Sequence, residues 1–479
     1  MNDNREIAKA TTWSFLTQII AKIIPPISNM ILARIFAPEV FGAIATITMV
    51  TSFADTLSES GFQKYIVSKE YKDRNNLERD ADVAFWTNLG ISILLWLIIS
   101  LFRNSLCEVL GNPELKFALV IACAQLPITS LSSIQTAVYQ REYNFRRPFV
   151  SQLISSIITL IITLMLAFGG FEYWAIILGN ISGYLLRSLI LTVKSVWHPH
   201  LYFSLHRLKS IFSFSMWIMA EGMAVWLTSW FDSFIVGNRM NSHNLGIYKN
   251  SQSVVNGLLA IPQNGITNVL VVSLSKNIYN KKIYNQLFLD TQRILAYILL
   301  PVGFGIFIYR ELAVKIVFGS GWEDAEFVIA LWALVSIFRI LLVSINSAVY
   351  ISKGKPKLSF YLQIMDLIIL VPTCIIGVKY GLHIFVVLRC IARLDIILPS
   401  LYIMSRNFDI SAKKIMHNLI KPLFVTIAMS LVGFATKNII NGITWQLVSI
   451  LICICTYGVL FLIFARGDLK NIIHMVKRH

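Results

Sequence analysis

The stretch "SIQTAVYQREYNFRRPFVSQ" (133–152) recurs in altered form as "SINSAVYISKGKPKLSFYLQ" (344–363). Seven residues of the first copy have an identical counterpart 211 positions later: Ser133, Ile134, Ala137, Val138, Tyr139, Phe149 and Gln152. Both copies also contain a group of basic residues between their shared ends. A similarity at this distance predicts that the chain contains two copies of one structural unit.

Two further pairs of segments repeat at nearly the same distance. Gly42 and Gly246 stand at equivalent places before apolar runs and are 204 residues apart. Gly111 and Gly319 stand in two further segments that resemble each other and are 208 residues apart. A spacing that changes this gradually is what small insertions in loops produce. The duplication therefore extends over most of the chain.

The composition is that of a protein that spans a membrane many times. The 479 residues are 56% hydrophobic and 14% charged, against about 45–50% and 25% in soluble domains. A bilayer core of about 30 Å requires about 20 apolar residues per helix, and the chain has many runs of that length, which excludes a soluble globular protein. The runs predict fourteen spans: 12–33, 41–59, 83–102, 117–138, 149–169, 173–193, 211–236, 246–274, 291–309, 325–350, 358–378, 381–404, 422–440 and 443–465.

The repeat and the spans together predict an all-α membrane protein with two six-helix lobes. Residues 1–200 form the first lobe and residues 201–410 the second. Because six is an even number, both lobes have the same orientation in the membrane. Parallel repeats of this kind occur in transporters, where the two halves surround one path. Residues 411–479 add two further spans and a tail.

The net charge of +17 reflects membrane topology. Of the 42 Lys and Arg residues, 27 lie in the N-terminus and the alternate segments on its side of the membrane, seven lie in the other loops, and eight lie inside spans. Cytoplasmic loops are enriched in Lys and Arg, so both termini are predicted to be cytoplasmic. Contact with anionic membrane lipids follows from this charge, and no nucleic-acid partner is expected.

The segments that repeat also resemble a known family. "LARIFAPEVFGAIATITMVTSFAD" (32–55), "LGIYKNSQSV" (245–254), "VFGSGWEDAEFVIALWAL" (317–334) and "AVYISKGKPKLSF" (348–360) resemble oligosaccharide flippases of the polysaccharide-transporter family. That family belongs to the multidrug/oligosaccharidyl-lipid/polysaccharide superfamily. The chain departs from the family pattern at Phe41, where the family often has Tyr. The matching positions resemble turn and packing residues: Leu32, Ala33, Arg34, Pro38, Gly42, Gly246, Tyr248, Gly319, Trp322 and Gly354.

The resemblance implies a substrate and a mechanism. The substrate is a polyprenyl-diphosphate-linked oligosaccharide, such as an O-antigen or exopolysaccharide repeat unit, which crosses the bacterial plasma membrane by alternating access. Related members couple transport to a cation, so Na⁺ or H⁺ is expected as the coupling ion and no other cofactor. A polysaccharide polymerase and chain-length proteins are the expected protein partners.

Four cations inside spans are candidate substrate-binding residues. Lys22 lies about ten residues from either end of span one, too deep for its side chain to reach either surface. Arg389 and Arg393 are four residues apart, share one helix face near mid-span, and suit phosphate oxygens. Arg339 lies mid-span ten, where it either contacts substrate or simply pairs with Asp366 of span eleven. Each cation is either functional or part of a structural ion pair, since an isolated charge at this depth is costly.

Three carboxylates inside spans are candidates for ion coupling. They are Asp55 of span two, Glu221 of span seven and Asp366 of span eleven. A buried carboxylate has a raised pKa and is able to carry a proton. Glu221 has an alternative role as the counter-ion of Lys22, because their spans are equivalent in the repeat.

No motif predicts an enzyme. The chain lacks the GxxxxGK[ST] phosphate loop, the HExxH and GxSxG motifs, and any Cys/His spacing typical of a metal site. Two other functions compete with the flippase. A cation-coupled small-molecule exporter of the same superfamily is disfavoured by the deep cations, and a membrane glycosyltransferase or polymerase is disfavoured by the absence of a large outer loop.

The charge asymmetry yields a topology prediction. Single cysteines at Lys72 and Lys282 should react only with membrane-permeant thiol reagents in intact cells, and one at Ser242 should react with an impermeant reagent. Labelling of each variant before and after lysis measures this. A Ser242 position sealed from outside would contradict the predicted orientation.

Overall fold

A computed structural model describes residue 24 and residues 27–58, 60–71, 73–142, 144–193, 195–440 and 442–464. Across these residues the chain is helical, with turns between helices and no strand. Helices are expected here because a membrane-spanning backbone must satisfy its own hydrogen bonds. The predicted all-α class is confirmed. Lys22 lies outside the described residues.

The chain divides into two compact units between Lys249 and Asn250. The helices that begin in unit 1 are α1 (Pro38–Ser58), α2 (Ser60–Ser68), α3 (Arg74–Leu101), α4 (Arg103–Val109), α5 (Lys116–Cys123), α6 (Gln125–Arg141), α7 (Arg146–Phe168), α8 (Glu172–Val193), α9 (Leu205–Arg239) and α10 (Ser242–Lys276). A 3₁₀ turn (Pro113–Leu115) precedes α5, and α10 crosses the division.

Unit 2 continues with the remaining helices. They are α11 (Lys281–Ile308), α12 (Arg310–Val317), α13 (Ala325–Arg339), α14 (Asn346–Ser352), α15 (Lys357–Gly377), α16 (Gly381–Ala392), α17 (Ile397–Asn407), α18 (Ala412–Lys437) and α19 (Ile443–Phe464). A π-helical turn (Ile340–Ser344) joins α13 to α14, and a 3₁₀ turn (Val378–Tyr380) joins α15 to α16.

The contact-based division differs from the lobe boundary that the repeat predicts. Helix α9 packs on α1, α2 and α3, so it belongs to unit 1, whereas the repeat begins its second copy at residue 201. The two boundaries describe different properties, since one follows contacts and the other follows sequence similarity. The boundary at residues 200 and 201 stays a prediction.

Twelve stretches of the described residues are long and apolar enough to cross a membrane. One of them, Lys357–Asn407, contains two of the predicted spans. Of predicted span 12–33, the structure describes only residues 24 and 27–33. The protein is a multi-pass membrane protein, and the exact number of fourteen spans stays a prediction.

The repeated segment ends its helix in the same way in both copies. The Tyr139 carbonyl accepts a hydrogen bond from the Asn144 N–H at 2.9 Å, and the Tyr350 carbonyl accepts one from the Lys355 N–H at 2.8 Å. Both tyrosine side chains are 1% exposed. In the second copy Gly354 has a φ of 66°, in the left-handed region that favours glycine at a helix end.

The reciprocal pair Gly42 and Gly246 fixes the start of two helices in unit 1. A Cβ atom added to Gly42 would clash with the backbone of Ser242, and a Cβ atom added to Gly246 would clash with the backbone of Pro38. Pro38 and Ser242 are themselves 204 residues apart, so the contact is the same on both sides. Self-complementary contacts of this kind follow from two-fold symmetry. The starts of α1 and α10 therefore touch backbone to backbone.

Polar contacts strengthen this junction. The Asn112 side chain donates to Thr46 Oγ1 at 2.8 Å and accepts from the Ser242 hydroxyl. Asn238 donates to the Val109 carbonyl at 2.6 Å. Since Ser242 is half-buried here, its exposed neighbour Asn241 is the better site for the outside label.

The two helices that follow the repeat attach to α11 through hydrogen bonds of polar side chains. Asn418 of α18 donates to Gln292 Oε1 at 3.0 Å, and Gln292 is fully buried. Tyr457 of α19 donates to the Tyr297 carbonyl at 2.7 Å. Interhelical hydrogen bonds favour specific helix association in membranes, so α18 and α19 have a defined position on unit 2.

The glycine junction generates a stability prediction. Gly246→Ala should destabilise the protein by about 1–3 kcal/mol, the usual cost of overpacking, and lower its melting temperature in detergent. Gly265→Ala is the matched control, because Gly265 lies on the same helix and a Cβ there meets nothing within 4 Å. Equal melting of the two variants would contradict the close contact.

Candidate functional site

The predicted span 381–404 is interrupted at its middle. Helix α16 ends at Ala392 and α17 begins at Ile397. Between them the backbone changes to tighter turns, with the Asp395 N–H donating to the Ala392 carbonyl at 3.1 Å. The Asp395 carboxylate accepts from the Ile396 N–H at 2.5 Å. Such a break inside a membrane requires new partners for the backbone groups that leave the helix.

Arg339 supplies one of those partners. Its Nη1 donates to the Arg393 carbonyl at 3.4 Å, within the break. Its guanidinium also contacts Asp366, with Nη2 to Oδ2 at 2.6 Å and Nη1 to Oδ1 at 3.5 Å. The Asp366 side chain is 2% exposed and that of Arg339 is 18% exposed. The pairing that the sequence raised as one alternative is present, so Arg339 ties three spans together.

A π-helical turn follows Arg339 directly. It covers Ile340–Ser344 and shifts the register of the helix before α14 begins. Turns of this type often occur at functional sites. The next residue but one, Asn346, is fully buried and donates to Ser400 Oγ of α17 at 2.8 Å. The turn therefore positions Arg339 and joins α14 to the far side of the broken span.

Arg389 and Arg393 lie around the indole ring of Trp332. The Arg393 Cζ is 3.8 Å from the ring centroid and the Arg389 Cζ is 5.9 Å from it. Arg393 also donates to Ser336 Oγ at 3.3 Å, and Arg389 is 3% exposed. A cation over an aromatic face is stabilised by the ring quadrupole, which favours these two like charges near each other.

These groups form one arginine cluster in unit 2. It comprises Arg339, Asp366, Arg389, Arg393 and Asp395 around Trp332. Three cations and two carboxylates give the cluster a formal charge of +1. Guanidinium groups are suited to planar, two-pronged recognition of phosphate or carboxylate oxygens. The cluster is able to hold an anionic group of a substrate inside the membrane.

The other predicted residues lie in unit 1 or outside the described chain. Asp55 is half-buried on α1, and its Oδ2 accepts from Gln125 Nε2 at 3.1 Å. Glu221 is exposed on α9. Lys22 belongs to the part that the structure does not describe, so its proposed pairing with Glu221 stays a prediction.

Sequence reasoning missed Trp332 at the centre of the cluster and Ser336, which accepts a hydrogen bond from Arg393. A usable signal was present, because Trp332, Ser336 and Arg339 have the spacing of residues that share one helix face. Trp332 also donates from its Nε1 to Asn256 Oδ1 at 3.1 Å. A tryptophan within an apolar run gives no polar signal of its own, so the sequence pattern does not mark Trp332 as part of a site.

A second charged network, in unit 1, was also missed. Asp80 is 1% exposed and contacts Lys69 Nζ at 2.8 Å and Arg207 Nη1 at 2.5 Å. Although burial alone lowers the pKa of Lys69, hydrogen bonds to Asp80 and Tyr65 raise that pKa above its ordinary value. The network fastens α2, α3 and α9 to one another near a membrane surface. Within the described ranges, no group of three or more His, Cys, Asp or Glu residues is placed to hold a metal ion.

Residues 31–326 match the family described as "Polysaccharide biosynthesis protein". The chain belongs to this family. The chain is similar to the succinoglycan biosynthesis transport protein ExoT of Rhizobium meliloti, with 25% identity over 69% of this chain and 66% of that protein. It is also similar to the teichuronic acid biosynthesis protein TuaB of Bacillus subtilis, with 22% identity over 90% of this chain and 89% of that protein.

Solved structures show the same fold. The lipid II flippase MurJ, in an inward closed conformation, matches with a TM-score of 0.77 and 16% identity, over 96% of this chain and all of that one. An inward-facing multidrug resistance transporter of the MATE family matches with a TM-score of 0.66 and 13% identity, over 85% of this chain and 99% of that one. Both likenesses concern the fold.

The ion pair in the cluster generates a prediction. Arg339→Ala or Asp366→Ala alone should lower stability by about 3–5 kcal/mol, because each leaves a buried charge without its partner. The double variant should recover most of this loss, but not all, since the Arg393 carbonyl loses its donor. Melting temperature and abundance in the membrane measure the effect. Single variants as stable as the parent would show that the pair is not structural.

Proposed function

We propose that this chain moves a polyprenyl-diphosphate-linked oligosaccharide from the cytoplasmic to the outer leaflet of a bacterial plasma membrane. The observation that carries the proposal is the family match over residues 31–326, on a chain whose fold resembles a lipid II flippase along 96% of its length. Relatives are named for the biosynthesis of succinoglycan and teichuronic acid. A role in surface polysaccharide synthesis follows.

The arginine cluster supports an anionic substrate. Arg389 and Arg393 lie around the Trp332 ring, with Cζ atoms 5.9 Å and 3.8 Å from its centroid. We assign substrate contact first to these two residues, whose guanidinium groups suit phosphate oxygens, and a positioning role to Arg339, which pairs with Asp366 and donates to the Arg393 carbonyl. A diphosphate presents several oxygens to such donors, and a low local dielectric strengthens each contact. Lys22 stays a candidate from the sequence.

Coupling to Na⁺ or H⁺ is part of the proposal. Of the three candidate carboxylates, Asp366 already forms an ion pair with Arg339. Asp55 and Glu221 are the better candidates to exchange a cation during transport. The proposed cycle is alternating access with no covalent step, so no catalytic residue is assigned. Cytoplasmic termini and contacts with a polymerase and chain-length proteins belong to the same proposal.

The function is tested by replacing the cluster cations in the bacterium that carries the gene. Arg389→Gln and Arg393→Gln should each reduce surface glycan by about tenfold or more, because a charge-assisted hydrogen bond contributes about 1.5–3 kcal/mol. Arg389→Lys should retain part of the activity. Surface glycan and membrane abundance are measured together, with Lys379→Gln as the control, since Lys379 is exposed in the turn before α16.

Two outcomes would contradict the proposal. Normal glycan display by Arg389→Gln and Arg393→Gln would show that transport does not require these two cations, and would favour the small-molecule exporter. Normal display in a strain that lacks the whole gene would remove the flippase function itself. Loss of display together with loss of the protein would show a structural role for the arginine concerned.

A further inference from the structure

Unit 2 has two adjacent basic pockets at the end where α11 begins. The first has a volume of ≈ 210 Å³ and is lined by Lys281, Lys353 and Lys355, with Asp409 beside them. The second has a volume of ≈ 460 Å³ and is lined by Lys282, Arg293 and Lys414, with Asp290 beside them. Six cations and two carboxylates give the two pockets a formal charge of +4 together.

The lysines of the first pocket are held in place by the turn of the repeated segment. Gly354, with its φ of 66°, separates Lys353 from Lys355 and directs both to this pocket. Lys353 Nζ donates to the Ile278 carbonyl at 3.0 Å and lies 4.6 Å from the centroid of the Tyr284 ring. Lys355 Nζ lies 5.6 Å from the centroid of the Phe408 ring. Two ammonium groups are thus positioned beside aromatic rings, and no carboxylate of the described residues forms an ion pair with either of them.

The ion pair between Asp409 and Lys281 in the first pocket is weak enough for a ligand to replace it. Asp409 contacts Lys281 at 2.9 Å, but both side chains are about two-thirds exposed, at 68% and 67%. Exposed pairs of this kind are weak, so an anionic ligand is able to replace Asp409 as the partner of Lys281. Asn285 lines both pockets, and its Nδ2 donates to the Asp409 carbonyl at 3.3 Å.

The pockets lie where four membrane-spanning stretches begin or end. Lys281 begins one stretch, Ser352 ends the next, and Asn407 and Ala412 flank the turn that completes the site. Span ends lie at the level of lipid headgroups. Basic pockets between spans on the cytoplasmic side are typical sites for anionic headgroups, and the predicted topology places this end on that side.

We propose that these two pockets bind the phosphate group of an anionic lipid headgroup at the cytoplasmic leaflet. The phosphate comes either from a bilayer phospholipid such as phosphatidylglycerol or from the diphosphate of the transported lipid. Only the second source rests on the proposed function. The site is separate from the arginine cluster, which lies in the middle of its spans.

Binding is measured on the purified full chain, with phosphatidylglycerol and phosphatidylcholine in equal amounts. Retained lipid is identified by native mass spectrometry. The parent should retain phosphatidylglycerol preferentially. The double variants Lys353→Gln/Lys355→Gln and Lys282→Gln/Lys414→Gln should each bind it about thirtyfold more weakly, from the ordinary contribution of two lysines near an anionic surface.

The control removes the same charge at other span ends of unit 2. Lys315→Gln/Lys379→Gln alters two exposed lysines and should bind phosphatidylglycerol as the parent does. Melting temperatures equal to that of the parent show that each variant is folded. Equal binding by all three double variants, or no preference for phosphatidylglycerol in the parent, would overturn the proposal.

A competition arm separates the two sources. Displacement of phosphatidylglycerol by polyprenyl diphosphate, but not by polyprenol, assigns the pockets to the transported lipid. No displacement assigns them to the phospholipid. Displacement by inorganic pyrophosphate at the same concentration would overturn a lipid headgroup site. Because binding is read without transport, a failed export assay and a failed binding assay are distinguishable.

Discussion

A backbone carbonyl inside a lipid bilayer has no water to donate a hydrogen bond to it, and this constraint governs the middle of unit 2. The break between Ala392 and Ile397 takes backbone groups out of the helical pattern. Arg339 donates to the Arg393 carbonyl there, and Asp366 neutralises the charge that Arg339 brings. The broken span and the buried ion pair therefore depend on each other. If the span were unbroken, the Arg393 carbonyl would bond within the helix and Arg339 would lose one of its acceptors. If residue 339 were apolar, the Arg393 carbonyl would lose the donor that Arg339 supplies.

In unit 1 the corresponding constraint is steric. The starts of α1 and α10 approach so closely that only glycine fits at positions 42 and 246. Each glycine faces the backbone at the equivalent position of the other copy, so a duplicated sequence produces one symmetric contact from two segments. The contact gives a physical reason why segments 204 residues apart are similar, because a side chain on either glycine would force the starts of α1 and α10 apart. The Asn112 amide then closes it with hydrogen bonds to Thr46 and Ser242.

Periodicity, repeats and charge placement predicted the helices and the duplication, and they raised the pairing of Arg339 with Asp366 as one of two alternatives. They did not predict the break in span 381–404, because the one glycine of that stretch, Gly381, lies at its start and its one proline, Pro399, lies beyond the break. The break is stabilised by a contact across 54 residues of sequence, and no local pattern encodes a partner so distant. The ring of Trp332 was missed for a related reason. Its importance comes from the two guanidinium groups that lie around it, which only the packing of α13 against α16 brings together.

The two copies of the repeat use different chemistry at the same place. At the offset of 211 residues, the counterparts of Arg339, Asp366 and Arg393 are Ile128, Ser155 and Ser182. In unit 1 the Ser155 hydroxyl donates to the Gly183 carbonyl at 2.7 Å, and Ser188 donates to the Ile128 carbonyl at 2.9 Å. Short hydroxyl side chains suffice there because α8 is unbroken and Gly183 allows a close approach. Unit 2 joins the equivalent helices with long, charged side chains and a broken span, which is the more costly arrangement in a membrane. Helix packing that uses hydroxyl groups in one copy does not by itself require charged groups in the other. The additional charges of unit 2 therefore support the proposed contact of the arginine cluster with an anionic substrate.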